Sequence, residues 1–117
     1  MINIEDFKKL ELRVGTIKKA ENFAEAKNPA YKLKIDFGPF GKKWSSAQIT
    51  ENYSLVDLVG CRIIAAMNLG NKVIGPFKSE VLVMGAEDSN GNIVLIEPDK
   101  EIENCLLYTS PSPRDRG

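Results

Sequence analysis

Histidine is absent from all 117 residues, which removes the commonest general base and the commonest transition-metal ligand together. No Ser–His or Cys–His nucleophile pair is possible. Cysteine occurs twice, at Cys61 and Cys105, too few for a disulfide framework or a four-ligand zinc site. Cys61 lies in the apolar run CRIIAAM, where a buried free thiol is the simplest reading, and a reducing, cytoplasmic compartment is the expectation. Net charge is missing as well. Lys plus Arg and Asp plus Glu number 16 each, so no global positive field marks a nucleic-acid binder, and any such role rests on local clustering. No window approaches the length of a transmembrane helix and MINIEDFKKL carries no long apolar stretch, so neither a secretory precursor nor membrane insertion is expected. Phosphate-cradling glycine motifs and metal clusters are lacking too. The sequence therefore calls for no enzyme and no cofactor.

What is present is a chain with 43% hydrophobic and 27% charged residues, enough for one modest core. Asn3 followed by Asp6, Phe7 and Leu10 predicts a short N-terminal helix. In LELRVGTIKKAEN, Leu10, Leu12 and Val14 alternate with polar residues until Gly15 and Ile17 shift the phase, which predicts a long first strand with a bulge or bend. Residues 21–29 are polar and stopped by proline, and predict a loop. YKLKIDF alternates without fault, GPFG makes a tight connection, and KKWSSAQI supplies a third strand as hairpin partner. Ser54 with Asp57 opens a short helix closed by Gly60. CRIIAAM and VLVMGA follow as apolar strands, separated by the glycine-broken loop NLGNKVIGPFKSE. The Asn-Gly pair in SNGN favours a type I′ hairpin turn into IVLI.

Three strands, a short helix and further strands is the order of the OB-fold, a small, partly open Greek-key barrel whose second and third strands carry a ligand surface. Small barrels of other connectivity give a similar pattern. The fold class read from the sequence is mainly all-β: an OB-fold barrel with one helix between strands three and four and another at the N-terminus.

In SSAQIT, Ser45, Ala47 and Ile49 share one strand face, while Ser46, Gln48 and Thr50 share the other. A solvent-facing strand commonly carries hydroxyls and amides. The same groups suit base edges, 2′-hydroxyls or an extended peptide backbone. Lys32 and Lys34 lie on strand two, and Lys42 and Lys43 enter strand three across a short turn, which suggests one basic patch. Trp44, Phe40 and Phe77 offer stacking surfaces for unpaired bases; packing over the barrel is the other reading for Trp44.

DFKKLELRVGTI, PAYKLKIDFG, KKWSSAQIT with Tyr53, Leu58 and Gly60, then Asn68, IGPFKSEVLVMGA and VLIEPDK run in order along residues 4–104. They resemble the CsaA family of tRNA-binding-domain proteins, described as export-related chaperones. More distantly they resemble the tRNA-binding modules of methionyl- and phenylalanyl-tRNA synthetases. The resemblance implies a tRNA-binding OB-fold over residues 1–104 that forms a homodimer, with tRNA as partner and unfolded or export-bound polypeptides as the alternative ligand. It places the family's motif on Ser45, Ser46, Ala47 and Gln48, its loop asparagine on Asn68, and its Ser-Glu pair on Ser79 and Glu80. Lys72 and Lys78 complete the candidate RNA- or peptide-binding set with Lys32, Lys34, Lys42, Lys43 and Trp44. Glu80 repels phosphate but accepts hydrogen bonds from base amino groups or backbone N–H groups. Relatives often carry two prolines and an arginine after the asparagine, where this chain has Gly70, Asn71 and Lys72. After Asn104 the chain reads CLLYTSPSPRDRG, which resembles an adaptor-derived tail more than a natural terminus and is set aside.

Overall fold

The computed structural model describes residues 1–104; the expectation about residues 105–117, and Cys105 with it, lies outside the described residues. The chain order is α1 (Ile4–Lys8), β1 (Leu12–Asn22), β2 (Tyr31–Asp36), a 3₁₀ turn (Gly38–Phe40), β3 (Lys42–Ala47) and α2 (Leu55–Leu58). β4 (Arg62–Ala66), β5 (Lys72–Ile74), β6 (Phe77–Ser79), β7 (Leu82–Val83), β8 (Gly85–Glu87) and β9 (Ile93–Leu95) follow. Five strands form an antiparallel sheet ordered β3-β2-β1-β4-β7, while β5–β6 and β8–β9 are separate hairpins. The sheet curls into a nearly closed, OB-fold-like barrel with two short α-helices, as the residue pattern predicts.

Both helices begin where the side chains dictate. Asn3 Oδ1 accepts the Asp6 N–H at 2.8 Å and Ser54 Oγ accepts the Asp57 N–H at 3.3 Å, each satisfying an otherwise orphaned donor of the first turn. α2 drives Leu58 into the core. The core is filled by Ile17, Leu33, Ile35, Phe37, Ile49, Ile63, Ala65 and Val81 around it. Burying these apolar side chains is the dominant stabilising term.

The bend in β1 has two components. The register against β2 shifts between Ile17 and Lys19, so the bulge sits at Lys18, three residues beyond the glycine. Gly15 serves a different need: a Cβ there would lie 2.5 Å from Phe37 Cε1 and 2.6 Å from Ile35 Cγ2. Its missing side chain is the space into which Phe37 packs.

Three segments differ from the sequence reading. The expected loop NLGNKVIGPFKSE folds into β5 and β6, with Ile74 opposite Phe77 and Gly75 at φ +59° at the tip. VLVMGA splits: β7 pairs with β4 and β8 with β9. The Asn90-Gly91 turn is not type I′, which needs positive φ at both central residues, because only Gly91 has it. Instead the Asp88 carboxylate accepts the N–H groups of Asn90 and Asn92, at 2.9 and 3.0 Å, and organises a longer loop.

Candidate functional site

The register of β1, β2 and β3 determines which side chains meet on the outer face of the barrel. Lys34 lies between Lys19 and Trp44, and Lys32 between Glu21 and Ser46. Asp36 stands opposite Lys42. Lys43, by contrast, pairs with Ile35 and shares its row with Ser45. The four-lysine patch expected from sequence therefore splits: Lys32, Lys34 and Lys42 share the outer face and Lys43 belongs to the barrel-facing row. Lys19 joins the outer face, a member the sequence reading missed, although it is 3.8 Å from the Glu21 carboxylate.

The outer face carries an aromatic cluster. The rings of Trp44 and Phe77 meet edge-on with centroids 5.9 Å apart, and Phe77 meets Phe23 likewise at 5.1 Å. Lys34 Nζ stands 5.8 Å from the Trp44 ring, and Lys32 Nζ stands 5.6 Å from Phe23 and 5.8 Å from Phe77, placing cations against π faces. Phe23 falls in the segment read as a polar loop; an isolated aromatic among polar residues has no periodicity to reveal it. Phe40 is not part of this cluster. Its ring stacks on the Arg13 guanidinium, 3.4 Å from centroid to Cζ, while Arg13 Nε donates to Glu11 at 2.8 Å.

β3 is the terminal strand of the sheet, and among the described residues no strand forms a ladder on its outer backbone edge. The segment Ser79–Val81 supplies partners one at a time. Trp44 N–H donates to Glu80 Oε2 at 2.9 Å and Trp44 C=O accepts the Glu80 N–H at 2.8 Å. Ser46 N–H donates to Ser79 Oγ at 3.1 Å. Ser45 is buried, 1% exposed, and its Oγ donates to Val81 C=O at 2.8 Å. Three bonds through side chains and one between backbones thus substitute for a strand ladder.

These bonds change the assignment of several candidate residues. Ser45 is enclosed in the barrel and its hydroxyl is engaged there, so it presents nothing to a ligand. Asn68 uses both ends of its amide: Oδ1 accepts the Glu11 N–H at 2.8 Å and Nδ2 donates to Lys9 C=O at 2.7 Å. It continues the β1–β4 pairing and ties the end of α1 to the barrel. Glu80 holds the backbone of Trp44, a strand rather than its own loop. Ser46, Gln48, Trp44, Lys72, Lys78 and Ser79 do come together, around two clefts.

One cleft, about 320 Å³, is lined by Glu21, Lys32, Trp44, Pro76, Phe77, Lys78 and Glu80. The other, about 340 Å³, lies between Ser46, Gln48 and Ser79 on one side and the segment from Leu69 to Lys72 with Ile74 and Leu82 on the other. The β5–β6 hairpin contributes to both. Lys42, Lys72 and Lys78 form no ion pair with any described residue, so their charge is available to an anion. Among the described residues no group of three or more His, Cys, Asp or Glu side chains is placed to hold a metal ion. Burial pushes the Cys61 thiol above its ordinary pKa, with the Glu97 and Asp57 charges adding to the effect, so it is the neutral thiol near pH 7. Among the described residues no helix is long and apolar enough to cross a membrane.

Comparison with known proteins bears on the family and the fold. Chaperone CsaA from Bacillus anthracis superposes with a TM-score of 0.87 at 48% identity, covering 92% of this chain and 99% of that one. The CsaA chaperone protein from Picrophilus torridus gives 0.86 at 47%, covering 92% of this chain and all of the other. Among curated proteins, methionine-tRNA ligase of Archaeoglobus fulgidus is 35% identical over 102 residues, which is 87% of this chain and 15% of the ligase. That of Flavobacterium johnsoniae is 29% identical over 104 residues, 89% of this chain and 14% of the ligase. The chain thus spans about one seventh of the length of these curated relatives. The family model described as "Putative tRNA binding domain" matches residues 12–105, and the chain belongs to that family.

Proposed function

We propose that the protein is a non-catalytic tRNA-binding module that engages RNA through the outer face of β2–β3 and the overhanging β5–β6 hairpin, as a homodimer. The observation that carries this reading is the outer face itself. Lys32, Lys34 and Lys42 surround an aromatic pair that includes Trp44, with Lys78 across the cleft and the hydroxyl of Ser46 beside it. Cations neutralise phosphates and exposed aromatic rings stack on unpaired bases, which is how OB-folds bind RNA. The family description supports tRNA as the ligand.

A second reading has its own support. The similar CsaA proteins are chaperones, and the cleft beside Gln48 is walled by Leu69, Ile74 and Leu82. In that reading the same surface holds unfolded or export-bound polypeptide.

Titrating the protein with bulk tRNA over a series of salt concentrations, with a denatured polypeptide as competitor, separates the two. RNA binding gives affinity that falls steeply as salt rises, and little displacement by polypeptide. Salt-insensitive binding of the polypeptide, with no retention of tRNA, would sink the RNA reading. Sedimentation equilibrium at micromolar concentration tests the dimer.

A further inference from the structure

The cleft between β3 and the β5–β6 hairpin has a composition that backbone recognition alone does not require. Trp44 and Phe77 make apolar walls, Lys32 and Lys78 bring two positive charges, and Glu21 and Glu80 bring two negative ones. Its charges balance. A cleft for phosphates alone gains nothing from two carboxylates, and a cleft for a guest cation is opposed by Lys32, whose ammonium already faces Phe77. At about 320 Å³ it lies at the small end of ligand sites, which span roughly 300–1,000 Å³.

Glu80 gives the cleft a direction. Its Oε2 is held by the Trp44 N–H at 2.9 Å, which fixes the carboxylate beside the indole. Its Oε1 has no partner among the described residues. A fixed acceptor next to an aromatic wall suits a flat, neutral heterocycle with an N–H donor on its edge.

We propose that this cleft receives one unstacked nucleotide of RNA, with its base against Trp44 and Phe77, its exocyclic amino group donating to Glu80 Oε1, and its phosphate toward Lys32 or Lys78. The proposal rests on the RNA-binding reading and adds base selectivity to it. Cytosine, adenine and guanine carry the amino group. Uracil does not: its single ring N–H is flanked by two carbonyl oxygens, which repel a carboxylate. Cytosine against uracil is the cleanest comparison, because the two rings match in size.

Trp44 is the chain's one tryptophan, so intrinsic fluorescence reports on this cleft directly. The experiment titrates the wild-type protein with hexacytidylate, hexauridylate and bulk tRNA, and repeats the two oligonucleotides with Glu80→Gln. That variant keeps a carbonyl oxygen for the Trp44 N–H and offers an amide N–H₂ where Oε1 stood. The expected result is quenching by hexacytidylate at about tenfold lower concentration than by hexauridylate, with the preference abolished or reversed in the variant. Equal affinities in the wild type, or tRNA binding with no change in Trp44 emission, overturn the proposal and leave the RNA reading standing. Failure of tRNA and both oligonucleotides to bind overturns both. Displacement of hexacytidylate by a short lysine-rich peptide that itself quenches Trp44 more tightly also overturns it. The wild-type comparison stands even if Glu80→Gln fails to fold.

Discussion

Trp44 and Glu80 bond to each other twice, the Trp44 N–H to Glu80 Oε2 and the Glu80 N–H to the Trp44 carbonyl. With the Ser46–Ser79 and Ser45–Val81 bonds, this pairing closes the barrel where, among the described residues, no strand ladders on the outer edge of β3. The residues that finish the fold are thus interleaved with those that face the clefts. The sharpest consequence concerns adjacent serines. Ser45→Ala leaves the buried Val81 carbonyl without its donor and costs about 1–3 kcal/mol of stability. Ser46 bonds through its backbone N–H, so Ser46→Ala keeps that contact and leaves stability nearly unchanged while weakening RNA binding. Urea denaturation of both variants measures the contrast.

Asn68→Ala removes an acceptor for Glu11 and a donor to Lys9 at once. Because the site is exposed, water replaces part of the loss, and about 1 kcal/mol is expected. The change should appear locally as faster amide exchange in α1, with binding to tRNA unaffected. Loss of binding with unchanged exchange would move Asn68 back to the ligand surface.

How much of this was legible in the sequence depends on the reach of each signal. YKLKIDF and the Ser54 cap are local patterns, and both elements lie where the pattern puts them. The inward placement of Ser45 follows from register with Leu33, which two-residue alternation also gives; that its hydroxyl meets Val81 depends on a contact 36 residues away. Asn68 and Glu80 entered the candidate set through the family resemblance, which carries no information on partners: both ends of the Asn68 amide and Oε2 of Glu80 are spent on backbone atoms distant in sequence, and only Glu80 Oε1 is left for a ligand. The β5–β6 hairpin escaped because strands of three residues carry too little alternation to stand out from a glycine-broken loop.

Gly15→Ala tests the close approach in β1. The added methyl meets Phe37 and Ile35, both buried and unable to retreat freely, so a loss of about 1–3 kcal/mol is expected from overpacking. Thermal denaturation measures it. A neutral or stabilising effect would show that Phe37 has another place to go.

Asp88 links the β8–β9 loop to pH. Hydrogen bonds from the Asn92 N–H, the Asn52 side chain and the Asn90 N–H hold its carboxyl below the usual value of 3.8. A depressed carboxyl stabilises the fold fully above its unfolded pKa and loses that contribution as pH falls through the lower folded pKa. The Asn90 and Asn92 amide resonances should therefore stay constant from neutral pH to about pH 4 and shift only in more acidic solution. Movement centred above pH 4 would contradict the assignment.

The central claim is that RNA lies on the outer face of β2–β3, and the salt dependence of tRNA binding tests it most directly. Lys34→Ala with Lys42→Ala removes two cations from that face, and Lys43→Ala removes one from the barrel-facing row. The slope of log Kd against log salt should become shallower by about 1–2 in the double variant, at roughly 0.7–0.9 per phosphate contact, and stay at the wild-type value in Lys43→Ala. An unchanged slope in the folded double variant, or a greater loss from Lys43→Ala, would place the RNA elsewhere.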